Sequence, residues 1–415
     1  MPKLAINGGN PEVAKQYHQF IHPIISKQIV ELMNDLHFQD SVSSFEGNGV
    51  VAEVERTFGQ IVGAKNALAT NSGTSALLTM YYALGLGPGD EVIVPAYTFF
   101  ATAMPLFSLG CRPVLADCLD NGNIDPSDIR RRITQATRAI VITHMWGIPC
   151  DMDEILQIAS EFNLPVLEDG SHAHGATYRG DTVGNLGTAA AWSLGAKKIV
   201  TGGQGGMFQS SNDEIFQRGC LLGSANDKKL KRITLPHLQP YAITGTGLNL
   251  RMHPFAAILI NEQLIGLPQQ LEHRREVARY MIKELKSVPG ISFPRIPDAA
   301  DPSWYAFIIL YDSTTMKDVS KEDFVKALTA EGAIGADIPA STCPMTRFQC
   351  FRDGHISFGF PIDHPVHFED EFINAERFHL QSIKLPVWYG PNRMGYAKAY
   401  ANAILKVVEN IEELR

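Results

Sequence analysis

Cysteine is sparse and unpatterned in this chain of 415 residues: six occur, at 111, 118, 150, 220, 343 and 350, and no two form a CxxC pair. That scatter argues against a zinc ribbon and against a disulfide framework, and it suits reduced thiols in a cytoplasm. Excess positive charge is also lacking, since 36 Lys and Arg stand against 44 Asp and Glu, a formal net charge of -8. No basic run stands out, so nucleic acid and anionic membrane are poor candidate partners. No uninterrupted apolar run approaches the ~18 residues of a membrane span. The opening MPKLAINGGNPEVAKQYHQF has no basic stretch leading into an apolar one, so no signal peptide is expected. Internal repeats and low-complexity segments are absent too. With 45% hydrophobic and 19% charged residues, the chain can bury a sizeable core, and disorder over a long span is not expected.

The stretch from Pro165 to Gly206 concentrates what is unusual. The apolar run Pro165-Val166-Leu167 ends on two acids, Glu168 and Asp169. A small-residue loop follows, then a second apolar run from Ala189 to Leu194, the pair Lys197-Lys198, and Gly202-Gly203-Gln204-Gly205-Gly206. An acid at the carboxyl end of a buried strand, a lysine on a later strand end and a glycine-rich turn that admits close backbone approach match the needs of pyridoxal 5′-phosphate. Its pyridinium nitrogen is held by a carboxylate and its aldehyde by a lysine.

Around that stretch, short and almost wholly apolar runs alternate with helical periods. Strands are expected at 64–69, 91–95, 113–117, 139–144 and 165–168, and helices at 50–62, 76–84, 98–109, 126–132 and 152–162. Runs of this kind point to strands buried on both faces, hence an α/β fold with a mostly parallel sheet and βαβ crossovers. Ligands in such sheets bind beyond the carboxyl ends of the strands, where Asn71, Tyr97, His144 and Asp169 are expected. A loop is expected at 41–49, irregular chain at 223–248, and a solvated face at Lys228 to Lys231. A long helical period follows over 254–288, with Pro268 as a kink or joint. The expected organisation is an arm over 1–30, a large α/β domain over 31–267 and a smaller α+β domain over 268–415. The smaller part holds a strand near 306–311 and helices over 321–331 and from 397.

Taken singly, the chemical residues each have a plain alternative. Asn71-Ser72-Gly73-Thr74-Ser75 suits a phosphate at a helix N-terminus, but it also reads as an ordinary N-cap. Asp169 suits a pyridinium nitrogen, and equally a cap or a buried ion pair. His172 can reach the 3′-oxygen edge of the same ring, although lone histidines commonly serve packing. Lys198, after an apolar strand, is placed to be desolvated and hence nucleophilic, with surface lysine as the alternative. Ser193 can offer a phosphate hydrogen bond, and Phe99 can stack on a flat ring or join the core.

Read together, these motifs resemble the DegT/DnrJ/StrS aminotransferases, sugar aminotransferases of the aspartate-aminotransferase fold type I. The resemblance runs through SSFEGNGVVAEVERTFGQIVGAKNALATNSGTSAL, GPGDEVIVPAYTFFATA, LEDGSHAHGA, GGQGG and GLNLRM, and weakens after about Pro289. It implies pyridoxal 5′-phosphate with Lys198 as the Schiff-base lysine, Asp169 as the pyridinium partner and His172 against the ring. It further implies Gly73, Thr74 and Ser193 at the phosphate and Phe99 stacked on the ring. Asn249 would reach the cofactor phosphate of a neighbouring subunit, which makes the protein a homodimer with shared active sites. The implied reaction moves an amino group from L-glutamate or L-glutamine to a ketone of a sugar or cyclitol, in aminosugar or secondary-metabolite biosynthesis. LAINGG and HMWGIPCDMD lean towards the cyclitol branch. Acceptor specificity is expected from 223–246, Asp337 to Phe351 and Trp388-Tyr389. Two departures stand out: Gln204 replaces the acid of the family's GEGG turn, and SLGAKK replaces a typical SFxxTK. Gln204 leaves room for a non-catalytic PLP-binding regulator, and the altered lysine neighbourhood for a PLP-dependent dehydratase.

Overall fold

The computed structural model describes residues 3–18, 20–35, 49–223, 232–352 and 371–415. Nearly all of the loop expected at 41–49, and the stretch Lys228 to Lys231, lie outside them. The main sheet has seven strands, in the spatial order Asn66–Thr70, Gly206–Ser210, Ala189–Ser193, Val166–Asp169, Thr137–Thr143, Glu91–Pro95 and Arg112–Ala116. Neighbours from Ala189–Ser193 onward run parallel, while Gly206–Ser210 runs antiparallel to both of its neighbours. The sheet is thus mostly parallel, and each expected strand is present to within a residue or two.

The unbroken apolar runs reflect burial on both faces. Val92 and Val94 pack with Ala76, Leu77 and Met80 of the helix Gly73–Leu84. Ile93, Ile140 and Ile142 point the other way, against Ile129 of Pro126–Arg132 and Ile155 and Ile158 of Met152–Phe162. Helices therefore cover both sides, and the carboxyl ends of the parallel strands stay open.

Two expectations differ from the structure. The helix expected over 98–109 is replaced by the short strand Tyr97–Phe99, paired antiparallel with Thr342–Pro344, and only Met104–Ser108 is α-helical. Pro105 gives the reason: proline lacks a backbone donor, so it suits the first turn and bars a helix from running through. Of the kink or joint expected at Pro268, the joint is absent. The helix Pro254–Leu285 continues through it. Leu264, Leu267 and Leu271 flank the proline and are buried beside the main sheet, which holds the helix together across the missing hydrogen bond.

The far half of that helix serves a second core. Val277, Ala278, Met281 and Leu285 pack under a three-stranded antiparallel sheet of Ile291–Ser292, Phe307–Tyr311 and Ser382–Leu385. The helices Lys321–Ala330 and Arg393–Glu409 complete this unit. Leu4 and Val13 are buried in it as well, and Val13 N donates to Glu331 O (2.9 Å), so the start of the chain is built into the small unit. Among the described residues no helix is long and apolar enough to cross a membrane.

Candidate active site

A cavity of about 400 Å³ opens where Thr143, Asp169 and Ser193 end three strands of the main sheet. The adjacent acids Glu168 and Asp169 part company there, because successive strand residues point to opposite faces. Asp169 lines the cavity and is 4% exposed. Its Oδ2 accepts from Thr102 Oγ1 (2.8 Å) and its Oδ1 from Ser171 N (3.1 Å). Thr102 belongs to a buried hydroxyl chain with Thr98 (3.0 Å) and, through it, Thr143 (3.1 Å). Glu168 faces away and accepts from the amides of Gly184, Leu186 and Gly187 and from His144 Nε2 (3.1 Å). His144 Nδ1 in turn accepts from Cys150 N (3.0 Å), so the ring proton sits on Nε2.

Of the four residues expected at the strand ends, only Asp169 lines the cavity. His144 is spent on Glu168. Tyr97 is buried against Phe378 and His379. Asn71 is exposed and accepts from Ser75 Oγ (2.7 Å), an N-terminal turn contact.

Lys198 lies not at a strand end but in the turn after Ala189–Ser193, with its amide donating to Gly195 O (3.0 Å). Its Nζ stands 4.9 Å from the centre of the Tyr305 ring. Burial brings this amine down to about 8, against an opposing pull from the Asp169 charge. Lys197 also lines the cavity but is exposed. The Lys198 carbonyl accepts from His22 Nε2 (2.7 Å), whose Nδ1 therefore accepts from Tyr389 Oη (2.9 Å).

His172 is buried, with its ring parallel to Tyr305 (4.1 Å, 6°) and near-parallel to Trp146 (5.5 Å, 17°). Burial and then the Lys198 charge hold it well below the usual histidine range, so it is neutral. Among the described residues its Nδ1 has no hydrogen-bond partner. Gly73, Thr74, Phe99, Ser193 and Gln204 share the same cavity. Gly73 opens the helix Gly73–Leu84, whose N-cap Ser72 accepts from Ser75 N (3.1 Å). A Cβ on Gly73 would lie 2.6 Å from Ser193 Cβ, so only glycine lets the helix start this close to the strand. Phe99 is 37% exposed and leans on Phe100 (4.3 Å, 35°).

Asn249 stands apart from the others. It does not line the cavity; it is exposed, and its Oδ1 accepts from Arg251 Nε (2.9 Å). The structure adds residues to which sequence reading gave no role: Trp146, Tyr305, Thr102, Ser171, His22 and Lys384, the last paired with Asp337 of the expected specificity segment. Ser171 acts on Asp169 two residues away, while the others act across long separations, as with His22 and Lys198.

Known proteins resemble this chain over most of its length. The family model of the DegT/DnrJ/EryC1/StrS aminotransferases matches residues 24–390. The spore coat polysaccharide biosynthesis protein SpsC of Bacillus subtilis is 32% identical over 344 residues, covering 81% of this chain and 84% of that protein. A putative L-glutamine:3-amino-2,3-dideoxy-scyllo-inosose aminotransferase of Micromonospora echinospora is 29% identical over 337 residues, 80% of this chain and 78% of its own length. Among solved structures, an aminotransferase from Psychrobacter cryohalolentis superposes with a TM-score of 0.82 at 26% identity, covering 94% of this chain and 98% of the other. With the family model spanning nearly the whole chain, the chain belongs to the DegT/DnrJ/EryC1/StrS aminotransferase family.

Proposed function

We propose that this aminotransferase holds pyridoxal 5′-phosphate in the cavity and moves an amino group from L-glutamate or L-glutamine to a ketone of a sugar or cyclitol. The observation that carries the reading is the meeting of one carboxylate, Asp169, and one desolvated amine, Lys198, in one cavity. The donor set fits the cofactor. Buried polar atoms are normally paired, and among the described residues His172 Nδ1 has no partner, a place that a ligand oxygen would fill. The Gly73–Ser193 approach sets a helix N-terminus, Thr74 and a serine hydroxyl on one wall, which suits a phosphate. Asp169 would hold the ring nitrogen, Phe99 a ring face and Lys198 the aldehyde carbon. When bound, the cofactor supplies the electron sink that makes a donor Cα–H acidic.

The rest of the chemistry falls to the chain. Thr102 and Ser171 fix both Asp169 oxygens, so the carboxylate cannot swing away. Once the donor's amine replaced it at the aldehyde carbon, Lys198 Nζ would be free to take the proton from the donor Cα, and in the return half it would deliver a proton to the acceptor carbon that receives the amino group. At pH 7 about one in ten such amines is already unprotonated, far more than for a lysine of ordinary value. Neutral His172 offers its edge without adding charge beside that amine. The amine lies over the Tyr305 ring, which is itself stacked on Trp146 (6.2 Å, 15°).

A homodimer completes the reading. Asn249 is exposed among Tyr241, Ile243, Leu248 and Phe255, all exposed apolar side chains that a second copy would cover. The chain divides into an arm to residue 30, a large unit to 267 and a small unit from 268, and works in the cytoplasm. The inosose and L-glutamine in the name of the Micromonospora relative support a cyclitol acceptor and that donor. The test is transfer itself. Protein supplied with the cofactor and L-glutamate releases 2-oxoglutarate in step with amination of an inosose or keto-sugar, and Lys198→Ala releases none. Unchanged release by Lys198→Ala overturns the assignment.

A further inference from the structure

The cavity must serve two unlike guests in turn, an amino acid carrying a carboxylate and an uncharged polyhydroxy ketone. The cations lining it, among the described residues, are Lys197, Lys198 and Lys384. Lys198 is committed to amine chemistry, and Lys197 is exposed. Lys384 comes from the strand Ser382–Leu385 of the small sheet, with its side chain 26% exposed.

We propose that Lys384 anchors the carboxylate of the amino donor, and that Asp337 is the internal carboxylate it exchanges for the donor's. The assignment rests on the aminotransferase reading above. Lys384 Nζ donates to Asp337 Oδ2 (2.8 Å), and Asp337 also lines the cavity. The closed pair is neutral as a whole and offers hydrogen-bonding edges, which suits the hydroxyls of an uncharged acceptor. A donor carboxylate brings the same chemistry as Asp337, so it can take the ammonium in its place.

Two features make the exchange easy and directional. A partly exposed ion pair is worth little, so opening it costs little. The exposure is also unequal: Asp337 is 55% exposed and can swing into water, whereas Lys384 is held in the wall at 26%. The backbone does not have to move. Asp337 N donates to Lys384 O (2.9 Å) and Lys384 N to Asp337 O (2.8 Å), which pins the two residues opposite each other whatever their side chains do. Side-chain substitutions here therefore leave the local frame intact.

The probe is glutarate, which has the two carboxylates of glutamate and no amine to transfer. Its binding to the cofactor-loaded protein is followed by calorimetry, alongside the rate of the L-glutamate half-reaction as its concentration rises. Losing one partly exposed ion pair predicts that Lys384→Ala weakens glutarate, and raises the half-saturating L-glutamate concentration, by about two- to fivefold. The limiting rate changes far less. Lys384→Arg restores most of the affinity, and Asp337→Asn tightens glutarate severalfold by removing the competitor. The proposal is overturned if Lys384→Ala binds glutarate and saturates with L-glutamate like the wild type, or if the wild type binds no glutarate. Loss of glutarate binding in Lys384→Ala supports it even if no amino acid reacts with the wild type, an outcome that counts against the aminotransferase reading alone.

Discussion

Lys198 is kept at a cost to the fold. Its amine titrates near 8 when folded against 10.5 for a free lysine, so between those values the unfolded chain binds more protons than the folded one. Stability of the cofactor-free protein should therefore rise as pH climbs from 8 towards 10.5, with the full penalty present below 8. Lys198→Met should be more stable than the wild type at pH 7, by roughly 1–3 kcal/mol, and should lose that alkaline rise. Urea denaturation of both proteins across that range checks it; a Lys198→Met protein that is less stable at pH 7 would contradict the desolvated amine. At this scale Asp169 and Lys198 were legible because strand ends and the order of motifs mark them. The parting of Glu168 from Asp169 was legible in principle, since it follows from strand alternation alone. Thr102, Tyr305 and His22 were not, because each acts on a residue far along the chain and has an unremarkable neighbourhood.

Elements place these residues by approaching one another closely. The helix Gly73–Leu84 can begin against Ser193 only because position 73 has no Cβ. Gly73→Ala should push the helix start off the strand, destabilise the protein by roughly 1–3 kcal/mol through overpacking, and weaken retention of the cofactor phosphate. Gly73→Ala/Ser193→Gly should recover only part of the stability, because the Cα of residue 193 itself lies 2.8 Å from the added Cβ, and still less of the cofactor retention, since Ser193 is itself a candidate phosphate partner. Thermal melts and dialysis against phosphate separate the two effects. If Gly73→Ala keeps both stability and cofactor, the close contact has no role. Most strands were readable from their unbroken apolar runs, which a doubly covered parallel sheet requires. The 98–109 segment misled because its apolar spacing says nothing of Thr342–Pro344, the strand that claims Tyr97–Phe99. Pro268 misled in the other direction, because three buried leucines around it outweigh one lost hydrogen bond.

At the scale of the molecule, the division of labour between copies is the open consequence. Asn249 is the single proposed site residue that lies outside its own chain's cavity, and only the family resemblance pointed to its role. If a neighbour's Asn249 completes each site, Lys198→Ala and Asn249→Ala mark different halves of it. Chains of the two variants, co-expressed and mixed at random, would pair as heterodimers half of the time, each with one intact site. Activity should then recover to about a quarter of wild type from two nearly inactive parents. No recovery, with heterodimers present by mass, would place Asn249 in its own chain's function or in none. The most direct measurement is simpler: the visible absorption of the purified, cofactor-supplied protein before and after L-glutamate or L-glutamine. The account predicts a visible band that depends on Lys198 and shifts to the near ultraviolet as the amino group is handed over. A protein that takes up no cofactor, or whose band persists unchanged in Lys198→Ala, would contradict it.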